Sequence, residues 1–250
     1  MLNQFLSVRV GVLALAFSLF GTGFASGQQD RYSAQLDGML EDIIAHTRAT
    51  RVETGRERLS DRVMAAMKSV PRHRLVPEAQ ESYAYDDRAL PIGLGQTISQ
   101  PFIVALMTDL LDLKPAHKVL EVGTGCGYQA AVLAQIAREV YTIEIVEPLA
   151  KLAAERLAAL GYRNIVTRSG DGYQGWPEQA PFDAIIVTAG AAEVPPALIT
   201  QLKPGGKLLI PVGPQWIGQD LLVISKDLNG KTTTRNTLPV RFVPLTRDKR

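Results

Sequence analysis

The run EVGTGCGYQ at residues 121–129 decides the fold. Before it stands an apolar run, Lys118–Val122, which reads as a buried strand; after it residues 129–137 read as a helix. Gly123, Gly125 and Gly127 alternate between them. A glycine lets the backbone turn sharply or approach a ligand closely. A glycine-rich turn from strand to helix is where doubly wound α/β folds bind nucleotide-like ligands.

The spacing narrows the ligand. A dinucleotide fingerprint, G-x-G-x-x-G, would need its third glycine at residue 128, where Tyr128 stands. What is present is G-x-G-x-G preceded by an acid, Glu121. About twenty residues on, VYTIEI carries Glu144 at the tip of a second strand, where a carboxylate can bind both hydroxyls of a ribose. A ribose without a pyrophosphate to cradle points to an adenosyl ligand such as S-adenosylmethionine. The alternative is a tight turn that binds nothing.

Downstream, strand and helix alternate. Strands are expected at 140–145, 165–168, Phe182–Val187, 207–212, 221–225 and 240–244, and helices at 148–160 and 194–202. Asn229-Gly230 reads as a hairpin turn. This order predicts a doubly wound, mostly parallel seven-stranded sheet with helices on both faces and antiparallel strands at its C-terminal end. Gly123 to Gly127, Glu144, Asp171 and Thr188 all fall at carboxyl ends of strands, where ligands of such sheets bind. Asp171 fits an adenine amino group, with Gly172 allowing close approach; it equally fits an ordinary Asp-Gly turn. Trp176 and Trp216 read as packing residues.

Upstream, residues 32–47 place Leu36, Met39, Leu40, Ile43 and Ile44 at helical spacing. Ser60 caps a second expected helix reaching Met67, and residues 48–58 read as a charged loop. Gly93 and Gly95 suggest an irregular loop before a long apolar helix at 101–113, with Pro101 in its first turn. Thr97 or Ser99 can cap that helix; their hydroxyls can also border the ligand pocket, and the two readings are compatible.

Composition bounds the rest. The chain has 250 residues, 46% hydrophobic and 21% charged, with formal net charge +2. That suits one large domain or a domain with an appendage, and it gives no support to nucleic-acid binding. The single cysteine, Cys126, excludes an internal disulfide, and His46, His73 and His117 show no metal spacing. Residues 1–27 read as an export signal: Arg9, an apolar run at 10–20 shorter than the ~20 residues of a membrane span, then small residues Gly23, Ala25 and Gly27. An uncleaved anchor is the other reading of that segment. Three parts follow: the signal at 1–27, a helical cap with its polar loop at 28–113, and the ligand-binding core with C-terminal strands at 114–250.

These residues resemble one known family, the protein-L-isoaspartate O-methyltransferases. VLEVGTGCGYQAAVLA (119–134) is similar to its cofactor motif and PIGLGQTISQPFIVALM (91–107) to its active-site loop. VPRHRLVPEA (70–79), GDGYQGWPEQAPFDAIIVTAG (170–190), LKPGGKLLIPVG (202–213) and LPVRFVPL (238–245) extend the likeness over residues 36–246.

The resemblance implies a Rossmann-like methyltransferase fold and methyl transfer from S-adenosyl-L-methionine to the free α-carboxyl of L-isoaspartyl residues in damaged proteins. It implies Ser99 as the active-site serine. As cofactor residues it implies Gln96, Thr97, Ile98, Gly123, Thr124, Gly125, Glu144, Ile145, Asp171, Gly172 and Thr246. Cys126 stands where many members have serine, and TAGAAEVP replaces a more alanine-rich form. The export-like start departs further, since typical members are cytosolic. With a signal, a periplasmic enzyme is expected, and without one a cytoplasmic enzyme. A monomer, damaged-protein partners, and no metal, nucleic acid or stable membrane association are also expected. Methylation of a small-molecule carboxylate, and an exported binding protein without catalysis, are the other readings.

Overall fold

The computed structural model describes the backbone of residues 22–247 and the side chains of residues 32–247. Most of the expected export segment, residues 1–21, lies outside the described residues. The chain divides into two units, Met1–Ala34 and Gln35–Arg250, and the second carries the fold described here.

In chain order the elements are α1 (Thr22–Ala49), α2 (Arg51–Thr54), α3 (Asp61–Ser69), β1 (Leu90–Gly93), β2 (Gln96–Ile98) and α4 (Pro101–Leu110). Next come β3 (Lys118–Val122), α5 (Tyr128–Ala134), β4 (Glu139–Glu144), α6 (Glu147–Ala159), β5 (Ile165–Ser169) and β6 (Phe182–Val187). The series ends with α7 (Pro196–Gln201), β7 (Leu202–Val212), β8 (Gln219–Lys226) and β9 (Thr232–Val240). The main sheet has seven strands in the order β5-β4-β3-β6-β7-β8-β9. Pairings from β5 through β7 are parallel, and β7-β8-β9 is antiparallel.

The central strands β3 and β6 are mostly apolar and buried, as parallel strands covered on both faces require. Leu120, Ile185 and Val187 are fully enclosed with Leu198, Leu208 and Ile210 in one cluster. Each such side chain contributes roughly 1.5–3 kcal/mol on leaving water. β5, at the edge, is only partly covered.

The connections give the sheet its crevice. From β3 the chain winds one way through β4 to β5, then returns to place β6 on the other side of β3. Outside the carboxyl ends of β3 and β6 the strand order reverses, leaving a gap for a ligand.

Local sequence explains the helix starts and stops. Ser60 adopts extended backbone and its hydroxyl accepts from the Val63 N–H. Pro148 sits in the first turn of α6, and Gly161, at φ +84°, stands just past its end.

Several expectations shift. The last strand is β9, not 240–244: the β-branched run after the Asn229-Gly230 turn pairs with β8 instead. Residues beyond Val240 run across the sheet end, where Pro244 bridges Gly190. The loop expected at Gly93 and Gly95 is a hairpin, β1 against β2, with Leu94 at φ +52° between the two glycines. The charged stretch after residue 48 includes the short helix α2. Trp176 packs in the core, its ring 5.4 Å from Tyr141, but Trp216 is 83% exposed between β7 and β8.

Candidate active site

One cavity opens at the strand-order reversal, with about 760 Å³ of non-atom space including its mouth. The turn after β3 forms its floor. The Gly123 N–H donates to Ile143 O at 2.8 Å, and Gly123 sits at φ +104°. A Cβ there would lie 2.6 Å from Thr188 Oγ1, so the site requires glycine. Thr188, after β6, donates its hydroxyl to Gly123 O at 2.7 Å and ties the two strand ends together.

Glu144 ends β4 and is nearly buried. Its Oε2 accepts the Gly125 N–H at 2.8 Å and its Oε1 accepts the Val146 N–H at 3.0 Å. A carboxylate has about four acceptor sites, so two remain for hydroxyl donors. The same contacts clamp the glycine turn to the strand that carries the acid.

The opposite wall is β2 and its continuation. Gln96, Thr97, Ile98 and Ser99 border the cavity. Ser99 does not cap α4, and neither does Thr97: the N-cap position is Gln100, without a side-chain cap bond. Asp87 reaches in instead, its Oδ1 accepting the Phe102 N–H at 2.9 Å and its Oδ2 the Gln100 amide at 2.8 Å. Among the described residues the Ser99 hydroxyl has no hydrogen-bond partner. The cap is supplied from elsewhere, so this hydroxyl is available to the cavity.

The geometry brings Ser99, Gly123, Thr124, Gly125, Glu144, Ile145, Gly172 and Thr246 to one cavity with Gln96, Thr97 and Ile98. Asp171 is not among the lining residues. Its carboxylate accepts the Tyr173 N–H at 2.9 Å, the capping bond of an Asp-Gly turn, and so positions Gly172. Gly172 is pressed close, since a Cβ there would lie 2.3 Å from Val122 Cγ1.

The profile of the protein-L-isoaspartate(D-aspartate) O-methyltransferase family matches residues 43–250. The chain belongs to this family. Protein-L-isoaspartate O-methyltransferase 2 of a Polaromonas species is 60% identical over 208 residues, 83% of this chain and 99% of that protein. Protein-L-isoaspartate O-methyltransferase 1 of Cupriavidus necator is 53% identical over 240 residues, 96% of this chain and 91% of the relative.

Among solved structures, a protein-L-isoaspartate O-methyltransferase superposes with TM-score 0.74 at 28% identity, over 84% of this chain and 66% of its own, just under two thirds. A Plasmodium falciparum protein assigned to the same activity, solved in complex with S-adenosyl-L-homocysteine, superposes with TM-score 0.66 at 26% identity, over 83% of this chain and 98% of its own.

In this member of the family, two acids behind the glycine turn differ in environment. Glu121 is 0% exposed. Its Oε2 accepts the Thr142 hydroxyl at 2.5 Å, and Thr142 meets Thr124 at 2.6 Å. Burial pushes the Glu121 pKa up to about 8; the Thr142 bond opposes this and nearby Glu144 adds to it. Its Oε1 has no partner and the residue borders the cavity.

Gln129 was not singled out by sequence, because a glutamine in the first turn of a helix carries no signal of its own. Thr108 donates its one proton to Val104 O and accepts from Gln129 Nε2 at 2.9 Å. That orientation leaves Gln129 Oε1 buried and unpaired in a residue bordering the cavity.

Cys126 is buried and its thiol pKa is pushed up by lost hydration, the opposite of an activated nucleophile. Among the described residues no group of three or more His, Cys, Asp or Glu is placed to hold a metal.

Proposed function

We propose that this chain methylates the free α-carboxyl of L-isoaspartyl residues in damaged proteins, using S-adenosyl-L-methionine. One observation carries the reading: Ser99, with an unbonded hydroxyl, and the Gly123–Glu144 clamp border the same cavity. The cavity suits an adenosyl group. Glu144 retains acceptor sites for ribose hydroxyls, Gly172 admits close contact, and Gln129 offers an unpaired buried oxygen to donors.

The bound sulfonium supplies an activated methyl group, and the acceptor carboxylate displaces the thioether, with the C–S electron pair leaving on sulfur. The protein's task is placement. An α-carboxyl has an unperturbed pKa of about 3.5, so it arrives ionised and needs no base. Ser99 donates to one carboxylate oxygen and leaves the other directed at the methyl. Orientation of this kind can supply on the order of 7–11 kcal/mol of the barrier. Replacing Ser99 with Ala should lower kcat on an isoaspartyl peptide roughly 10–100-fold, the worth of a charge-assisted hydrogen bond, with affinity for S-adenosylhomocysteine unchanged. Unchanged turnover would remove Ser99 from the reaction.

Residues 1–27 support export and a periplasmic site of action after cleavage, since Arg9, a short apolar run and small residues follow in signal-peptide order. Among the described residues no helix is long and apolar enough to cross a membrane. A monomer fits the placement of the most exposed large apolar residues, Val52 on α2, Trp216 and Ile217 in the β7-β8 connection and Leu228 in the β8-β9 connection. Sequencing the mature N-terminus from fractionated cells checks the first point: a chain still beginning at Met1 would contradict it. Light scattering checks the second.

A further inference from the structure

Arg72 lies in a one-turn 3-10 segment, Arg72–Arg74, just after Pro71. It is 0% exposed. Its Nε donates to Ala84 O at 2.7 Å and its Nη2 to Ser99 O at 2.7 Å. The guanidinium carbon stands 4.5 Å from the centroid of the Tyr128 ring. Its Nη1 is buried and makes no hydrogen bond. No carboxylate among the described residues forms an ion pair with it; burial lowers its pKa, and Tyr128 is the largest opposing influence.

Burying a guanidinium without a carboxylate is costly. The contacts show what that cost maintains. Ser99 carries an unbonded hydroxyl, and Tyr128 is the first residue of α5, directly after the glycine turn; both residues border the cavity, and Arg72 does not. One rigid planar group therefore spans the two walls between which the reaction takes place. A guanidinium can do this because its donors form a fixed fork and its face stacks on an aromatic ring, whereas an ammonium offers a point charge on a flexible stem.

We propose that Arg72 is a positioning residue for methyl transfer: by holding the Ser99 carbonyl and the Tyr128 ring on one guanidinium, it sets the Ser99 hydroxyl against the acceptor carboxylate. This inference rests on the methyltransferase reading and assigns Arg72 no contact with either substrate.

A double-mutant cycle with Ser99 tests it, read in the full chain. R72K keeps the charge and removes the fork. It should lower kcat/KM on an isoaspartyl peptide at least about tenfold, the smallest loss expected for a bond from a charged donor. The Kd for S-adenosylhomocysteine should stay within about twofold, because the glycine turn and Glu144 keep their own hydrogen bonds without Arg72. In an S99A background R72K should cost less than about twofold, since the group it positions is gone. Losses that multiply, or R72K turnover within about twofold of the parent, would overturn the proposal. If R72K does not fold, R72Q keeps a planar donor and takes its place in the cycle. Failure of both to fold would assign Arg72 to stability and also overturn the proposal. An inactive parent chain would instead fail the methyltransferase reading, which separates the two.

Discussion

Glu121 and Glu144 sit on neighbouring strands, and burial treats them differently. Glu144 receives two backbone N–H groups, while Glu121 receives one hydroxyl and loses its water. With its pKa at about 8, Glu121 keeps its proton in the folded chain where the unfolded chain, near 4.5, has released it. The folded state therefore binds more protons between these values, and its stability falls as pH rises across that window. The contribution is fully present below about 4.5 and lost above about 8. We expect Glu121→Gln to remove this slope, which reaches up to about 1.4 kcal/mol per pH unit. Melting curves of both proteins without cofactor, taken across the window, check it; parallel curves would show that Glu121 titrates normally. For Glu144→Ala the expected result is a loss of roughly 100-fold or more in S-adenosylhomocysteine affinity by calorimetry, because the acceptor sites proposed for the ribose and the Gly125 clamp go together. At this scale the sequence was informative where chemistry demands a residue type. Glycine spacing and a strand-tip acid located Gly123 and Glu144. Asp171 showed both its readings, ligand or turn, and its Oδ1 makes the capping bond to the Tyr173 N–H. Arg72 and Gln129 left no mark, because nothing in a string of letters says that a guanidinium is buried or an amide oxygen unpaired.

Among the elements, α4 shows how a cap from outside leaves the Ser99 hydroxyl unbonded beside the cavity. Its apolar sequence and leading proline predict a helix, and Ser99 or Thr97 is a natural candidate to cap it. Asp87, separated from the helix start by the β1-β2 hairpin, performs that task and also pairs with His46 at 2.9 Å. Asp87→Ala should therefore destabilise the fold by about 1–2 kcal/mol, the usual worth of a lost cap. For a chain of this size that lowers Tm by roughly 2–8 °C. An unchanged Tm would mean that another group satisfies the Phe102 N–H. The hairpin itself was hidden because two glycines flanking Leu94 read as irregularity, and its strands are only four and three residues long. β9 escapes the apolar pattern for a related reason. Six of its nine residues are polar, four of them threonine, and it lies at an edge, so hydrophobic periodicity is silent there while the apolar run after it has the pattern of a strand.

For the whole molecule, alternation of apolar strands with helices was enough to predict the parallel core and its C-terminal antiparallel strands. Their apolar runs are forced by burial on both faces. The reversal between β3 and β6 then follows from connection rules, and with it the location of the cavity. Placing Ser99 beside that cavity needed more, since β2 belongs to a separate two-stranded sheet and only tertiary packing brings it across. The central claim, that this cavity aligns an isoaspartyl carboxylate with a sulfonium methyl, is tested most directly by one comparison. A single peptide is presented in isoaspartyl and normal aspartyl forms, with labelled S-adenosylmethionine as donor. The account predicts base-labile methyl ester on the isoaspartyl form alone. Equal labelling of both forms, or of neither while a small carboxylic acid is methylated, would contradict it.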